Sequence, residues 1–175
     1  SGLAEVVKYG MILDADFFQW LEDRAHSIRE REKESLNHLV HRSAELKASV
    51  VERDEREITG LRACLNYGHT FAHAFEATLS YSAKLNHGEA VILGIKTAAK
   101  FSLLNKILNK KEFELINNHL TNLNLPRDIN KFFSLKNLNT LLFFMKKDKK
   151  NNTRKINLVL LKKVGSPVYK LQFNE

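Results

Sequence analysis

The sequence predicts a mainly α fold, a multi-helix bundle with a small C-terminal β-hairpin. Only seven glycines and two prolines interrupt the 175 residues, and apolar residues recur at helical spacing through roughly the first 145. The period changes near the C-terminus, where two segments rich in β-formers flank Gly165-Ser166-Pro167. Hydrophobic residues at 43% and charged residues at 27% are ordinary for a globular protein, so we expect one domain over 1–175.

The first elements follow from apolar spacing and from boundary residues. Residues 2–12 have the pattern of a short helix, and Asp14 is a typical N-cap for a second helix that ends near Arg24. A long charged helix is predicted from about Ile28 to Val51, and a charged loop over Glu52–Gly60. The remaining predicted elements are a helix over Leu61–Leu79, a connector over Tyr81–Asn86, a helix from Gly88 to about Leu108, helices near 111–122 and 136–146 separated by a break at Leu125-Pro126, and strands over Ile156–Leu161 and Val168–Phe173.

One predicted helix carries polar residues where an apolar stripe is usual. Arg62, Asn66, His69 and His73 step by four, three and four residues, which on an α-helix places them on one face. A buried polar stripe is costly unless each group has a partner. We therefore predict that this face lines a cleft, a ligand or a metal.

Histidines and a carboxylate together suggest a metal site. His69 and His87 are candidate ligands, Glu5 is the natural third, and His73 is an alternative fourth. Imidazole nitrogen with carboxylate oxygen suits Zn²⁺, and three protein ligands leave a position open for substrate. The competing interpretation is that the histidines merely satisfy local hydrogen bonds.

Charge and cysteine content limit the classes of partner. The net charge is +8, and nine basic residues lie between Lys146 and Lys170 against one acid, Asp148. Such a run attracts phosphate, but a solvated face explains most of it, and aromatic residues are not interleaved as single-strand binders require. We therefore expect no nucleic acid. No apolar run is long enough for a membrane span. Cys64 is the single cysteine, which fits a reducing cytoplasm. Its apolar neighbours place it in the protein core.

Several motifs in series resemble 3-dehydroquinate synthase. They occur in that family's order and at nearly its spacing, and they are Gly2–Gly10, Asp54–Glu57, Leu61-Arg62, Leu65–His73, His87–Ala90 and Asp148–Lys150. The resemblance covers essentially the whole chain and corresponds to the family's C-terminal, metal- and substrate-binding domain. It implies an orthogonal helical bundle in a cytoplasmic homodimer. It also implies an N-terminal NAD-binding α/β domain, which is absent from this chain, so we expect a fragment that is inactive alone.

The resemblance also implies a reaction. The family converts 3-deoxy-arabino-heptulosonate 7-phosphate into 3-dehydroquinate and phosphate, a lyase step of the shikimate pathway toward aromatic amino acids. NAD⁺ transiently oxidises a ring hydroxyl, and Zn²⁺ or Co²⁺ assists.

Residue by residue, the resemblance assigns Glu5, His69 and His87 to the metal. It assigns catalytic roles to Lys8, Glu57 and His73, and substrate binding to Lys8, Lys47, Arg62, Asn66, His73 and Lys149. Lys150 is the alternative to Lys149. The chain departs from the family by one extra residue near Ile58-Thr59 and by Ala72 where glycine is commoner.

Two other interpretations stay open. One is a related sugar-phosphate cyclase or a metal-dependent polyol dehydrogenase, although such dehydrogenases typically present aspartate where Glu5 stands. The other is a non-catalytic basic helical module that binds nucleic acid or protein. The module predicts no stoichiometric metal, so a zinc assay separates it from both enzymes.

Overall fold

The computed structural model describes residues 2–125, 128–147 and 155–173, with Lys170 described in its backbone only. Its architecture is mainly α, as predicted. Within these ranges the α-helices are α1 (Gly2–Leu13), α2 (Ala15–Asp23), α3 (Ala25–Arg29), α4 (Lys33–Arg53), α5 (His69–Thr78), α6 (His87–Leu104), α7 (Lys110–Asn122) and α8 (Leu138–Lys147). Short 3₁₀ helices cover Arg62–Asn66, Ile129–Lys131 and Leu135–Asn137. None of the described helices is both long and apolar enough to cross a membrane.

Helix α1 lies at the centre of the fold. Eight of its residues are buried, including Val7 and Met11, and it packs against α2, α4 and α6. The predicted cap is confirmed, because Asp14 Oδ1 accepts the backbone N–H of Phe17 at 3.0 Å. Since α1 is buried on most of its surface, the polar residues it carries, Glu5 and Lys8, are held in a rigid element.

The helix predicted from Ile28 to Val51 is wrong at its start. The chain forms α3, turns at Arg31 with φ of 59°, and begins α4 at Lys33. Between Ile28 and Leu36 the sequence offers no large apolar residue. A helix through this stretch therefore has little apolar surface to bury.

The helix predicted over Leu61–Leu79 is also wrong, and the error bears on the site. Arg62–Asn66 is a 3₁₀ turn, Gly68 adopts φ of +78°, and α5 starts only at His69. Arg62 and Asn66 therefore do not share one α-helical face with His69 and His73.

Helices α5 and α6 cross at two glycines. A Cβ on Gly68 would lie 2.7 Å from the backbone nitrogen of Ile95, and a Cβ on Gly94 would overlap the carbonyl of Gly68. Asn86 caps α6 in a reciprocal capping box with Glu89. The end predicted near Leu108 is wrong, because α6 ends at Leu104, before a turn in which Lys106 has φ of 58°.

The C-terminal part follows the prediction closely. Helices α7 and α8 occupy the predicted positions, while Pro126 of the predicted break lies outside the described residues. Strands β1 (Ile156–Lys163) and β2 (Ser166–Phe173) form an antiparallel hairpin with Leu158 opposite Leu171. The strands are longer than predicted, so Ser166 and Pro167 belong to β2 and the turn is Val164-Gly165. Buried β1 residues pack on α6, which makes the hairpin part of the core.

Candidate metal centre

Glu5, His69 and His87 converge, although they come from three different helices. One potential ligand atom from each lies within 4.8 Å of the other two. This is the one group of three or more such residues found within the described ranges. The group does not include His73, whose ring centroid lies 5.6 Å from that of His69.

The carboxylate of Glu5 is shared between two neighbours. Lys8 Nζ donates to Oε2 at 2.6 Å, and Oε1 lies 3.3 Å from Nε2 of His69. Burial opposes ionisation of Glu5, but the close imidazole of His69 and the ammonium of Lys8 outweigh it and lower its pKa to about 2. Glu5 is therefore an anion throughout the range in which metals bind proteins.

The backbone sets the tautomer of His69. Nδ1 lies 3.2 Å from the carbonyl oxygen of Tyr67, and a carbonyl only accepts, so Nδ1 carries the hydrogen. In the neutral ring Nε2 then carries no hydrogen, and its lone pair faces the anionic Glu5 Oε1. A lone pair and a carboxylate oxygen at 3.3 Å repel unless a cation lies near both.

The donor set fits a divalent transition metal. Glu5 Oε1 is buried and has no hydrogen-bond partner among the described residues, and an orphaned buried oxygen is costly. A cation among these three ligands satisfies that oxygen and the lone pair of His69 together. Two imidazoles and one carboxylate are a common catalytic zinc set, with room for a further ligand.

His87 is oriented from outside the group. Its Nδ1 lies 3.0 Å from Oε1 of Glu76 on α5. The His87 side chain is 49% exposed and that of Glu76 only 12%. Glu76 was not predicted from the sequence, although it follows His73 by three residues and so continues the polar spacing of α5.

Positive charge lies beside Glu5, on Lys8 and on a second lysine near it. Lys8 is 2% exposed, and burial is the main reason that its pKa lies below the ordinary value. Lys47, exposed on α4, lies close enough for its charge to act in the same direction.

The loop before α5 carries two further predicted residues. Glu57 Oε1 lies 3.6 Å from Nε of Arg62, and both side chains are more than a third exposed. Asp54 holds this loop, because its two carboxylate oxygens accept the backbone N–H groups of Thr59 and Arg62, each at 3.0 Å. Those hydrogen bonds lower the pKa of Asp54. The sequence placed Asp54 in the motif Asp54–Glu57 but did not predict that it holds the loop.

Next to this loop lies a cavity of about 440 Å³. Glu57 and Asn66 line it together with Thr70, Asn157 and Gln172, so the hairpin supplies one wall. These last three residues were not predicted from the sequence, because the hairpin comes to α5 only in the folded chain. A larger cavity, of about 840 Å³, lies between α6 and α7 and holds none of the predicted site residues.

Lys149 and its alternative Lys150 lie outside the described residues, as does Arg154 of the same basic run. Their assignments remain expectations from the sequence.

Known proteins are similar to this chain over most of its length. Residues 2–151 match the family described as 3-dehydroquinate synthase C-terminal. The 3-dehydroquinate synthase of Pelagibacter ubique (strain HTCC1062) is 65% identical over 174 residues, covering 99% of this chain and 47% of that protein. The one from Thermodesulfovibrio yellowstonii (strain ATCC 51303 / DSM 11347 / YP87) is 43% identical over 166 residues, 94% of this chain and 45% of that protein.

Solved structures show the same fold. A 2-deoxy-scyllo-inosose synthase, complexed with carbaglucose-6-phosphate, NAD⁺ and Co²⁺, aligns with a TM-score of 0.80 at 25% identity over 98% of this chain and 47% of its own. The 2-epi-5-epi-valiolone synthase of Streptomyces hygroscopicus subsp. jinggangensis 5008, with NAD⁺ and Zn²⁺ bound, aligns at 0.79 and 20% identity over 99% and 46%. The chain spans about half the length of the curated relatives it matches. By the match of residues 2–151 and by these identities, the chain belongs to the 3-dehydroquinate synthase family, of which it represents the C-terminal part.

Proposed function

We propose that this chain is the metal- and substrate-binding part of a 3-dehydroquinate synthase. The whole enzyme would convert 3-deoxy-arabino-heptulosonate 7-phosphate into 3-dehydroquinate and phosphate. The observation that carries the proposal is the convergence of Glu5, His69 and His87, with a buried carboxylate oxygen that lacks a hydrogen bond among the described residues. The name shared by the sequence relatives supports the choice of reaction.

Glu5, His69 and His87 would hold Zn²⁺ or Co²⁺. Bound there, the ion supplies Lewis acidity to substrate hydroxyls, and NAD⁺ accepts and returns a hydride. The structural relatives that hold Co²⁺ or Zn²⁺ together with NAD⁺ support this pair of cofactors. In this chain, Lys8 and the Tyr67 carbonyl keep Glu5 and His69 in place before a metal arrives.

The cations would bind the two anionic ends of the substrate. Lys8 is buried and its ammonium is already poorly hydrated, so a carboxylate or phosphate gains more from it than from a surface lysine. Arg62 offers a planar fork suited to such groups, and Asp54 fixes its backbone. Lys47 and Asn66 complete the described binding set. Lys149 belongs to the same proposal from the sequence.

His73 and Glu57 are the proposed groups for proton movement. His73 is exposed one turn beyond His69, so its ring can reach a substrate bound at the metal. Glu57 lies beside Arg62 at the mouth of the 440 Å³ cavity. Each would accept or return a proton at the part of the substrate it faces.

The rest of the enzyme is also part of the proposal. The relatives are about twice as long as this chain, and an NAD-binding α/β domain would supply the cofactor site. We further propose a homodimer in the reducing cytoplasm that the single cysteine suggests.

A related sugar-phosphate cyclase is the second candidate, favoured by the TM-score of 0.80 to 2-deoxy-scyllo-inosose synthase. Substrate choice separates the two. The full-length enzyme, loaded with NAD⁺ and Zn²⁺, should release phosphate from 3-deoxy-arabino-heptulosonate 7-phosphate and not from a hexose 6-phosphate. The opposite preference would replace the first proposal by the second.

The proposed metal site is tested in the full-length enzyme with the variants Glu5→Gln, His69→Asn and His87→Asn. Each should bind zinc more weakly, retain less of it by elemental analysis and lose phosphate release. Glu114→Gln is the matched control, because Glu114 is exposed on α7 and pairs only weakly with Lys110. Zinc content unchanged in all three variants would refute the metal site. A wild-type enzyme without stoichiometric metal would favour the basic binding module instead.

A further inference from the structure

A carboxylate lies behind His87, on a helix other than its own. Glu76 Oε1 and His87 Nδ1 are 3.0 Å apart. An ionised carboxylate only accepts hydrogen bonds, so in the neutral ring Nδ1 carries the hydrogen. Nε2 is then left with a free lone pair. Nε2 is therefore the nitrogen that His87 has left to bind a metal beside Glu5 and His69.

We propose that Glu76 is a positioning residue for the metal centre. It would fix the tautomer and the ring orientation of His87, as carboxylates behind metal-bound imidazoles do elsewhere. The inference rests on the proposed function, since it presupposes that His87 binds a metal.

His87 needs such a partner more than His69 does. His69 begins α5 and its Nδ1 is held by the backbone carbonyl of Tyr67, so its orientation follows from the fold itself. His87 begins α6 and half of its side chain is exposed. A half-exposed ring samples several rotamers unless a neighbour holds it.

The helix geometry explains why Glu76 can do this. Glu76 follows His69 by seven residues, which is two turns, so both side chains lie on the same face of α5. The close crossing at Gly68 and Gly94 brings α6 against that helix. Glu76 is therefore fixed by the packing of α5 while it contacts His87 at the exposed start of α6.

The test measures metal affinity and not only turnover. Metal-free full-length enzyme carrying Glu76→Ala, Glu76→Gln or no substitution is titrated with Co²⁺ against a chromophoric chelator, and the visible spectrum of the bound ion is recorded. We expect Glu76→Ala to weaken Co²⁺ binding by about 10-fold or more and to alter the spectrum. Glu76→Gln should recover part of the loss, because an amide oxygen still accepts the hydrogen of Nδ1.

The decisive comparison is made in a protein that already carries His87→Ala. If Glu76 acts through His87, then adding Glu76→Ala to His87→Ala should weaken Co²⁺ binding no further. Additive losses would overturn the proposal, because they would indicate a general structural role for Glu76.

The chain contains a matched control pair. Glu22 Oε2 accepts from Nδ1 of His119 at 2.7 Å, on elements that contribute nothing to the metal-binding group. Glu22→Ala breaks an equivalent carboxylate–imidazole contact and should leave the Co²⁺ affinity unchanged.

Two failures are distinguishable. Equal affinities of wild type and Glu76→Ala would overturn the positioning role while leaving the metal site intact. Absence of Co²⁺ binding in the wild type would overturn the proposed function itself, and the positioning role with it.

Discussion

Gly68 and Gly94 lie against each other so closely that neither position accommodates a side chain. A Cβ on Gly94 would overlap the carbonyl oxygen of Gly68, whose own φ of +78° favours glycine. This contact precedes His69 directly. The position of His69, a proposed metal ligand, therefore depends on a glycine in another helix.

Gly94→Ala should destabilise the fold and weaken metal binding together. Forcing a methyl group into a filled contact costs about 1–3 kcal/mol, and relief requires α5 and α6 to separate. Thermal unfolding and Co²⁺ titration measure the two effects. Gly2→Ala is the control, since nothing lies within 4 Å of the added Cβ. Equal melting temperatures for the two variants would contradict the close-packing argument.

Phosphate binding should depend on Arg62 and on salt. Inorganic phosphate, titrated calorimetrically into this protein, should bind more weakly in Arg62→Gln, because a planar cation near the cavity is lost. Raising the ionic strength from roughly 0.01 M to 1 M shortens the Debye length from about 30 Å to about 3 Å and should weaken binding further.

The control for that experiment is Lys110→Gln, on a lysine that is 83% exposed and pairs with Glu114 on α7. It removes the same unit of charge away from the site. If it weakened phosphate binding as much as Arg62→Gln, the effect would be one of net charge and the anion site would be refuted.

Acid should destabilise the protein partly through Asp14. Burial opposes its ionisation, but the Phe17 N–H and Arg42 outweigh this and hold its pKa below the ordinary value of 3.8. Because the folded-state pKa is the lower one, the stabilisation is complete above that ordinary value and is lost as the pH falls through the folded value.

Asp14→Asn should therefore reduce the loss of melting temperature between about pH 6 and about pH 3. Asparagine still caps α2, so the variant isolates the charge. The effect at neutral pH should stay below about 1 kcal/mol, since Arg42 is 40% exposed and its ion pair is screened. Asp23→Asn, at the exposed end of α2, is the comparison, and an identical acid response in both would exclude Asp14 as a source.

Cys64 should be unreactive in the native protein. It is fully buried, and this burial raises its pKa to about 11, so little thiolate exists near neutral pH. Iodoacetamide should modify it slowly in buffer and rapidly in denaturant, followed by mass spectrometry. Fast labelling of the folded protein would show that the core around Cys64 opens readily.

Local signals explain what was predicted correctly. Asp14 caps α2 by accepting the backbone N–H of Phe17, three residues further on. The β-forming segments around Gly165 pair with each other. Each of these features is decided within a few residues of chain, so composition and spacing are sufficient. The break at Arg31 was missed because no glycine or proline marks it.

The polar stripe shows where such reasoning fails. Regular spacing of Arg62, Asn66, His69 and His73 suggested one helix, but Gly68 interrupts it. The left-handed conformation of Gly68 belongs to its contact with α6, which no local pattern contains. Glu76 was missed for a related reason, because its partner His87 lies on that same second helix.

The sequence by itself determined the helical class, the hairpin, the family and a candidate ligand set, since these depend on residue types and on their order. Tertiary structure alone decided that Glu5, His69 and His87 meet within 4.8 Å, that Lys8 is buried beside them, and that Glu76 holds His87. These relationships join α1, α5 and α6, and distances between helices are set by how their surfaces pack rather than by the spacing within any one of them.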